Sequence, residues 1–203
     1  MIWVKVLLFY VFFSFVVDST LLNLDNSKDK VLIYAILSIF TIIEYSIFSY
    51  FLYSVIDNKI FRTIILVSTV GFFLFAIYYF FNSKYNSFDS LSASIGSILI
   101  VAYCIFYLFD QLNKPQVMFI YQDPSFWFVV GLMVYLSGTL FLFIQANELD
   151  AQVRKDFWKI NLFANITKNI LFAIAFSTKK SNSIIQSFEN PYDDILENPY
   201  KTL

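Results

Sequence analysis

Two charged side chains stand in the middle of apolar runs: Glu44 in IYAILSIFTIIEYSIFSYFL and Lys168 in INLFANITKNILFAIAF. A charge at mid-bilayer depth costs roughly 2.5 to 3.5 kcal/mol on insertion scales, so each needs a partner, a neutral form or water. At about 100° per residue, Tyr34, Ser38, Thr41, Glu44, Tyr45 and Ser49 share an arc of roughly 140° on one helix. Asn161, Asn165, Lys168 and Asn169 fall within roughly 100° on another. The patterns predict that Glu44 and Lys168 meet inside a helical bundle, with Asn165, Asn169, Thr41 and Tyr45 completing their hydrogen bonds. Such a pair has two readings: a polar clamp that sets helix register, or a site for a ligand, an ion or a proton. Asp18, Asp110 and Glu148 lie near run ends, where water or lipid headgroups reach them.

Other chemistry is excluded by residue type. The chain has no histidine and one cysteine, which removes His-based triads, zinc sites with His or several Cys ligands, and internal disulfides. Cys104 lies in an apolar run and reads as a small packing residue. No HExxH, P-loop, Gly-rich dinucleotide turn or GxSxG elbow occurs. The expectation is therefore a protein without catalytic residues, metal or cofactor, and not an enzyme. A formal net charge of −1 provides no field for nucleic acid.

These residues must be positioned by elements that suit lipid. The chain is 59% hydrophobic and 14% charged, too apolar for a water-facing surface. Four Gly and four Pro leave too little punctuation for a β-barrel, and helices satisfy the backbone in hydrocarbon. Six apolar runs, 2–17, 31–56, 61–81, 91–112, 126–146 and 157–176, predict an all-α polytopic transmembrane bundle over 1–176 followed by a polar tail, 177–203. A run of about 20 residues spans roughly 30 Å. The first run is short and holds Lys5, which can snorkel. A secretory signal fits it poorly, because no basic segment precedes it and no small-x-small cleavage site follows.

Small residues predict where helices approach closely: Ser92 with Gly96 and Ala93 with Ser97 on the fourth helix, Gly131 and Gly138 on the fifth. Glycine hinges or an ion path are the alternative use. Asp123 and Pro124 read as the cap and first residue of the fifth helix, and Asp89 or Ser90 would cap the fourth. Trp127 and Trp158 stand at span starts, as interface anchors do. Lys and Arg divide evenly between the two sides of the bundle, so the positive-inside rule does not orient it. Six spans put both termini on one side, assigned to the cytoplasm because the polar tail then needs no translocation. That tail repeats ENPY at 189–192 and 197–200, which favours two turns. Residues 181–203 are therefore either a docking peptide for a protein partner or a flexible tail.

The stretches DPSFWFVVGLMVYLSGTLFLF (123–143), INLFANITKNILFAIAF (160–176) and IYAILSIFTIIEYSIFSYFL (33–52) resemble a family of small bacterial multi-pass membrane proteins with no assigned activity. The resemblance covers a little over a quarter of the chain. It implies Glu44, Phe126, Trp127, Gly131, Tyr135, Ser137, Gly138, Asn165, Lys168 and Asn169 as the recurrent positions, and a bacterial inner membrane as the location. Members often carry a further helix ahead of the position of Met1, a respect in which this chain departs. Similar segments accompany signal-transduction proteins such as sensor histidine kinases, so the resemblance implies a sensor or signalling accessory. A small-solute or proton-coupled transporter and a structural subunit of a membrane complex are the competing expectations.

Overall fold

The computed structural model describes the backbone of residues 2–24, 30–82, 90–114, 120–145 and 151–178, and the side chains of 5–21, 23, 24, 31–82, 90–114, 120–140, 144 and 159–178. Six α-helices fill these segments: α1 (Ile2–Asn23), α2 (Lys30–Val55), α3 (Lys59–Asn82), α4 (Ser90–Leu112), α5 (Pro124–Gln145) and α6 (Ala151–Ser177). No strand occurs among the described residues. Each helix overlies one apolar run. The spans Val31–Val55, Lys59–Asn82, Ser90–Leu112 and Lys159–Ser177 are long and apolar enough to cross a membrane, and the chain therefore fits a membrane-embedded helical protein.

The expected six spans are thus six helices, of which four are, among the described residues, long and apolar enough to cross a membrane. In α1, Lys5 and Asp18 bracket the apolar stretch. The helix α6 also begins at Ala151, ahead of the apolar run expected from 157.

Helix starts follow local chemistry. Asp123 Oδ1 accepts from the Ser125 amide at 3.0 Å and from the Ser125 hydroxyl at 3.0 Å, while Pro124 opens α5 at the position where a missing N–H costs nothing. Asn58 Oδ1 accepts from the Ile60 amide at 2.9 Å and caps α3 in the same way. The α4 start is at Ser90, and Asp89 lies outside the described residues.

The helices α2 and α4 occupy the middle. The first packs on α1, α3 and α4, the second on α2, α3 and α5, and α5 and α6 form the most extensive pair. Half of the α4 span is buried, against 17% for α3, so α3 is peripheral. One end of the bundle is tied by Lys114, whose ammonium bonds Asp57 Oδ2 at 2.5 Å and lies 3.3 Å from Asp110 Oδ2. Asp110 also accepts from the Asp57 amide at 3.1 Å. Partial burial disfavours the Lys114 charge, but its bonds to the two carboxylates outweigh that and raise its pKa.

The predicted close approaches lie at helix contacts. A Cβ on Gly131 would stand 3.1 Å from the Phe172 ring and one on Gly138 would stand 3.3 Å from Ala164 Cβ, so both glycines let α6 approach α5. A Cβ on Gly96 would meet Phe72 at 3.3 Å and Tyr45 at 3.4 Å. Ser92, Ala93, Ser94 and Ser97 are buried on the same helix. Phe172 cannot easily yield, being buried and edge-on to Phe128 at 4.9 Å between centroids. Overpacking costs about 1 to 3 kcal/mol, against about 0.5 to 1 kcal/mol gained by removing a mid-helix glycine. Gly131→Ala is therefore expected to lower the midpoint of thermal unfolding in detergent. Gly71→Ala, where a Cβ meets nothing within 4 Å, is expected to leave the midpoint unchanged or raise it; equal shifts in the two variants would contradict this packing.

Candidate functional site

Lys168 is the most deeply buried charge among the described residues, 2% exposed. It stands on the inward face of α6, which Ala164, Phe172 and Ala175 also occupy. Its ammonium donates to the Tyr10 hydroxyl at 2.9 Å, and Tyr10 donates to Glu44 Oε1 at 2.6 Å. The same ammonium lies 4.1 Å from the Tyr135 ring centroid, placing it against that π-face. A chain of hydrogen bonds thus joins α6 to α2 through α1, with α5 supplying an aromatic wall.

Glu44 and Lys168 share one cluster, but the expected direct pair is not formed. Among the described residues the ion pairs of 4 Å or less are those of Lys114, and Tyr10 stands between the two charges. The expected hydrogen-bond partners also differ. The Thr41 hydroxyl donates to Leu37 O at 3.0 Å, the ordinary back-bond of a threonine in a helix. The Tyr45 hydroxyl reaches Tyr103 at 2.9 Å, because it is rotated about 100° from Glu44 and faces the contact with α3 and α4. There Tyr103 also meets Ser68 at 2.6 Å, which completes a separate hydroxyl network. Asn169 is exposed, since it lies roughly 100° from the centre of the α6 face set by Ala164, Lys168 and Phe172.

Asn165 takes a different place from the one expected. With Asn161, Asp18, Thr41, Glu44 and Tyr135 it lines a cavity of about 160 Å³ between α1, α2, α4, α5 and α6. The Oδ1 atoms of Asn161 and Asn165 are buried without a hydrogen-bond partner. Buried amide oxygens are ordinarily bonded, so such orphans call for an explanation. The cavity belongs to the half of the bundle where α1 ends and α2, α4 and α6 begin, as its lining by Leu21, Leu37, Ala93 and Asn161 shows. Among the described residues no three His, Cys, Asp or Glu side chains converge as metal ligands would.

Two members of this cluster were missed by the sequence reasoning, Tyr10 and Asp18, while Asn161 was placed on the polar stripe of the sixth helix but not among the site residues. A signal was present. Tyr10, Ser14 and Asp18 recur every fourth residue on α1, a polar stripe on an otherwise apolar helix. Comparisons with protein-family models, curated proteins and solved structures return no match.

The hydrogen-bonded chain predicts energetic coupling between its ends. Removing one partner of a buried charged pair costs about 3 kcal/mol or more, because the other is left uncompensated. In a double-mutant cycle, Glu44→Gln and Lys168→Met are expected to be each destabilising and strongly non-additive when combined. Tyr10→Phe is expected to reduce that coupling. Strictly additive losses, unaffected by Tyr10→Phe, would show that the three side chains act independently.

Proposed function

We propose that this chain is a membrane-embedded sensor or signalling accessory that holds a small polar ligand in the cavity beside Glu44. The observation that carries the reading is the pair of unpartnered amide oxygens, Asn161 Oδ1 and Asn165 Oδ1, on two asparagines that line a cavity bordered by a carboxylate. A purely structural clamp has every reason to satisfy its own lone pairs, whereas a binding site keeps some for its occupant. Five helices contribute to the wall, so an occupant bears on the packing of all five at once. The Lys168–Tyr10–Glu44 chain transmits a change at Glu44 to α1 and α6.

Transport would draw on the same groups, but transporters commonly place their sites at broken helices. The five helices around the cavity each run without a break, which favours a fixed site over alternating access. In this reading residues 181–203, which lie outside the described residues, provide contact with a separate effector, and the membrane is the bacterial inner membrane that the sequence resemblance implies.

The reading requires that the cavity communicate with water. Asn165→Cys is expected to react with a small membrane-impermeant thiol reagent in vesicles, from one side of the membrane only. Ile166→Cys, exposed on the outer surface of α6 and so facing lipid, is expected to stay unmodified, as is the buried native Cys104. An unreactive Asn165→Cys in folded protein would mean a sealed void and would end the ligand-site reading.

A further inference from the structure

The polar groups around the cavity are unequal in kind. The Thr41 hydroxyl spends its proton on Leu37 O, and Ser97 donates to Ala93 O at 2.8 Å. Tyr10 already occupies Glu44 Oε1, and the other carboxylate oxygen has no hydrogen-bond partner among the described residues. Asn161 and Asn165 bring two more unpartnered oxygens. An amide can turn either end to a ligand, and beside carboxylates a positive ligand selects the oxygen. The wall therefore offers carboxylate oxygens together with two amides whose oxygens are unpartnered.

Charge points the same way. Among the described residues the lining contains Asp18 and Glu44 and no Lys or Arg. Lys168 is not part of the wall; its ammonium is bonded to the Tyr10 hydroxyl and turned against the Tyr135 ring. The remaining surface is rich in aromatic faces, with Phe40, Tyr45, Phe48 and Tyr135 among its members. Carboxylate, amide oxygen and aromatic face together suit an ammonium group on a short apolar body. A cavity of about 150 Å³ accommodates a benzene ring, so a volume of about 160 Å³ suits a body of similar size.

We propose that the ligand is a small primary ammonium cation, with its charged head between Glu44 and the Asn161 and Asn165 oxygens and its apolar body against Phe40, Phe48 and Tyr135. The inference rests on the ligand-site reading and adds the chemical class of the occupant. A cation at that point holds Glu44 as the carboxylate to which Tyr10 donates, and so keeps Lys168 hydrogen-bonded as the charged end of the chain. Asp18, at the outer end of the cavity, attracts the cation on its way in.

Thermal unfolding of the full chain in detergent tests this with butylammonium, butanol, butyrate, sodium and potassium at matched ionic strength. Butylammonium is expected to raise the midpoint in a saturable way, and the other four are not. Glu44→Gln is expected to weaken the effect about tenfold or more. Should Glu44→Gln fail to fold, Asp18→Asn and Asn165→Leu, both outside the hydrogen-bonded chain, are expected to weaken it as well. A midpoint indifferent to butylammonium, an equal response to butanol or to the inorganic cations, or a response untouched by these variants would overturn the proposal. Failure here together with a reactive Asn165→Cys would reject the cation and leave a ligand site. An unreactive Asn165→Cys would reject both.

Discussion

A lysine ammonium that is 2% exposed, inside a bundle whose outer surface suits hydrocarbon, sets conditions on every helix near it. Its charge must meet an oxygen, and that oxygen must belong to a group able to pass the demand along. Tyr10 does this, because a phenol accepts from Lys168 with a lone pair and donates its own proton to Glu44. The result is a separated ion pair with a neutral spacer. Coulomb attraction across the spacer is weaker than in direct contact, but both charges are hydrogen-bonded, and unmade bonds are the larger cost in a medium of low dielectric constant.

The packing around this chain follows from the same demand. On α5, Gly131, Tyr135 and Gly138 lie on one stripe, spaced by four and then three residues. On α6, Ala164, Lys168, Phe172 and Ala175 form the facing stripe. Glycine notches let the two backbones close until Phe172 lies over Gly131 and Ala164 over Gly138. The Tyr135 ring is then brought flat against the Lys168 ammonium. Here the small residues and the aromatic wall are parts of one arrangement, although the sequence presents them as unrelated features.

The helical content and the positions of the six helices were legible in hydropathy, the cap at Asp123 in the Asp-Pro pair that opens α5, and the inward turn of Lys168 in helical periodicity. What was not legible was partner choice. Helical periodicity assigns a residue to a face with an error of tens of degrees, and at this crowding that error decides between neighbours. Tyr45 and Glu44 share an arc on α2, yet one serves the α3–α4 contact and the other the α1–α6 contact. Asn169 fell just outside the buried sector for the same reason. Tyr10 was overlooked because a hydroxyl at the foot of an aromatic ring does not disturb hydropathy, and α1, bracketed by Lys5 and Asp18, carries the weakest claim to span.

The position of the cavity has its own cause in side-chain size along α4. The first half of that helix turns Ala93, Gly96 and Ser97 inward, and the second half turns Tyr103 and Tyr107 inward. The bundle is therefore filled at one end by buried rings, with Phe51 and Phe128 edge-on to one another in the same core, and left open at the other. Helix spacing is held by the bulky end, so the small residues cannot draw their neighbours in far enough to close the gap. An apolar gap of this size would stay empty. This one is bordered by Asp18, Glu44, Asn161 and Asn165, which suits polar contents, and the buried Lys168 lies a single phenol away from Glu44.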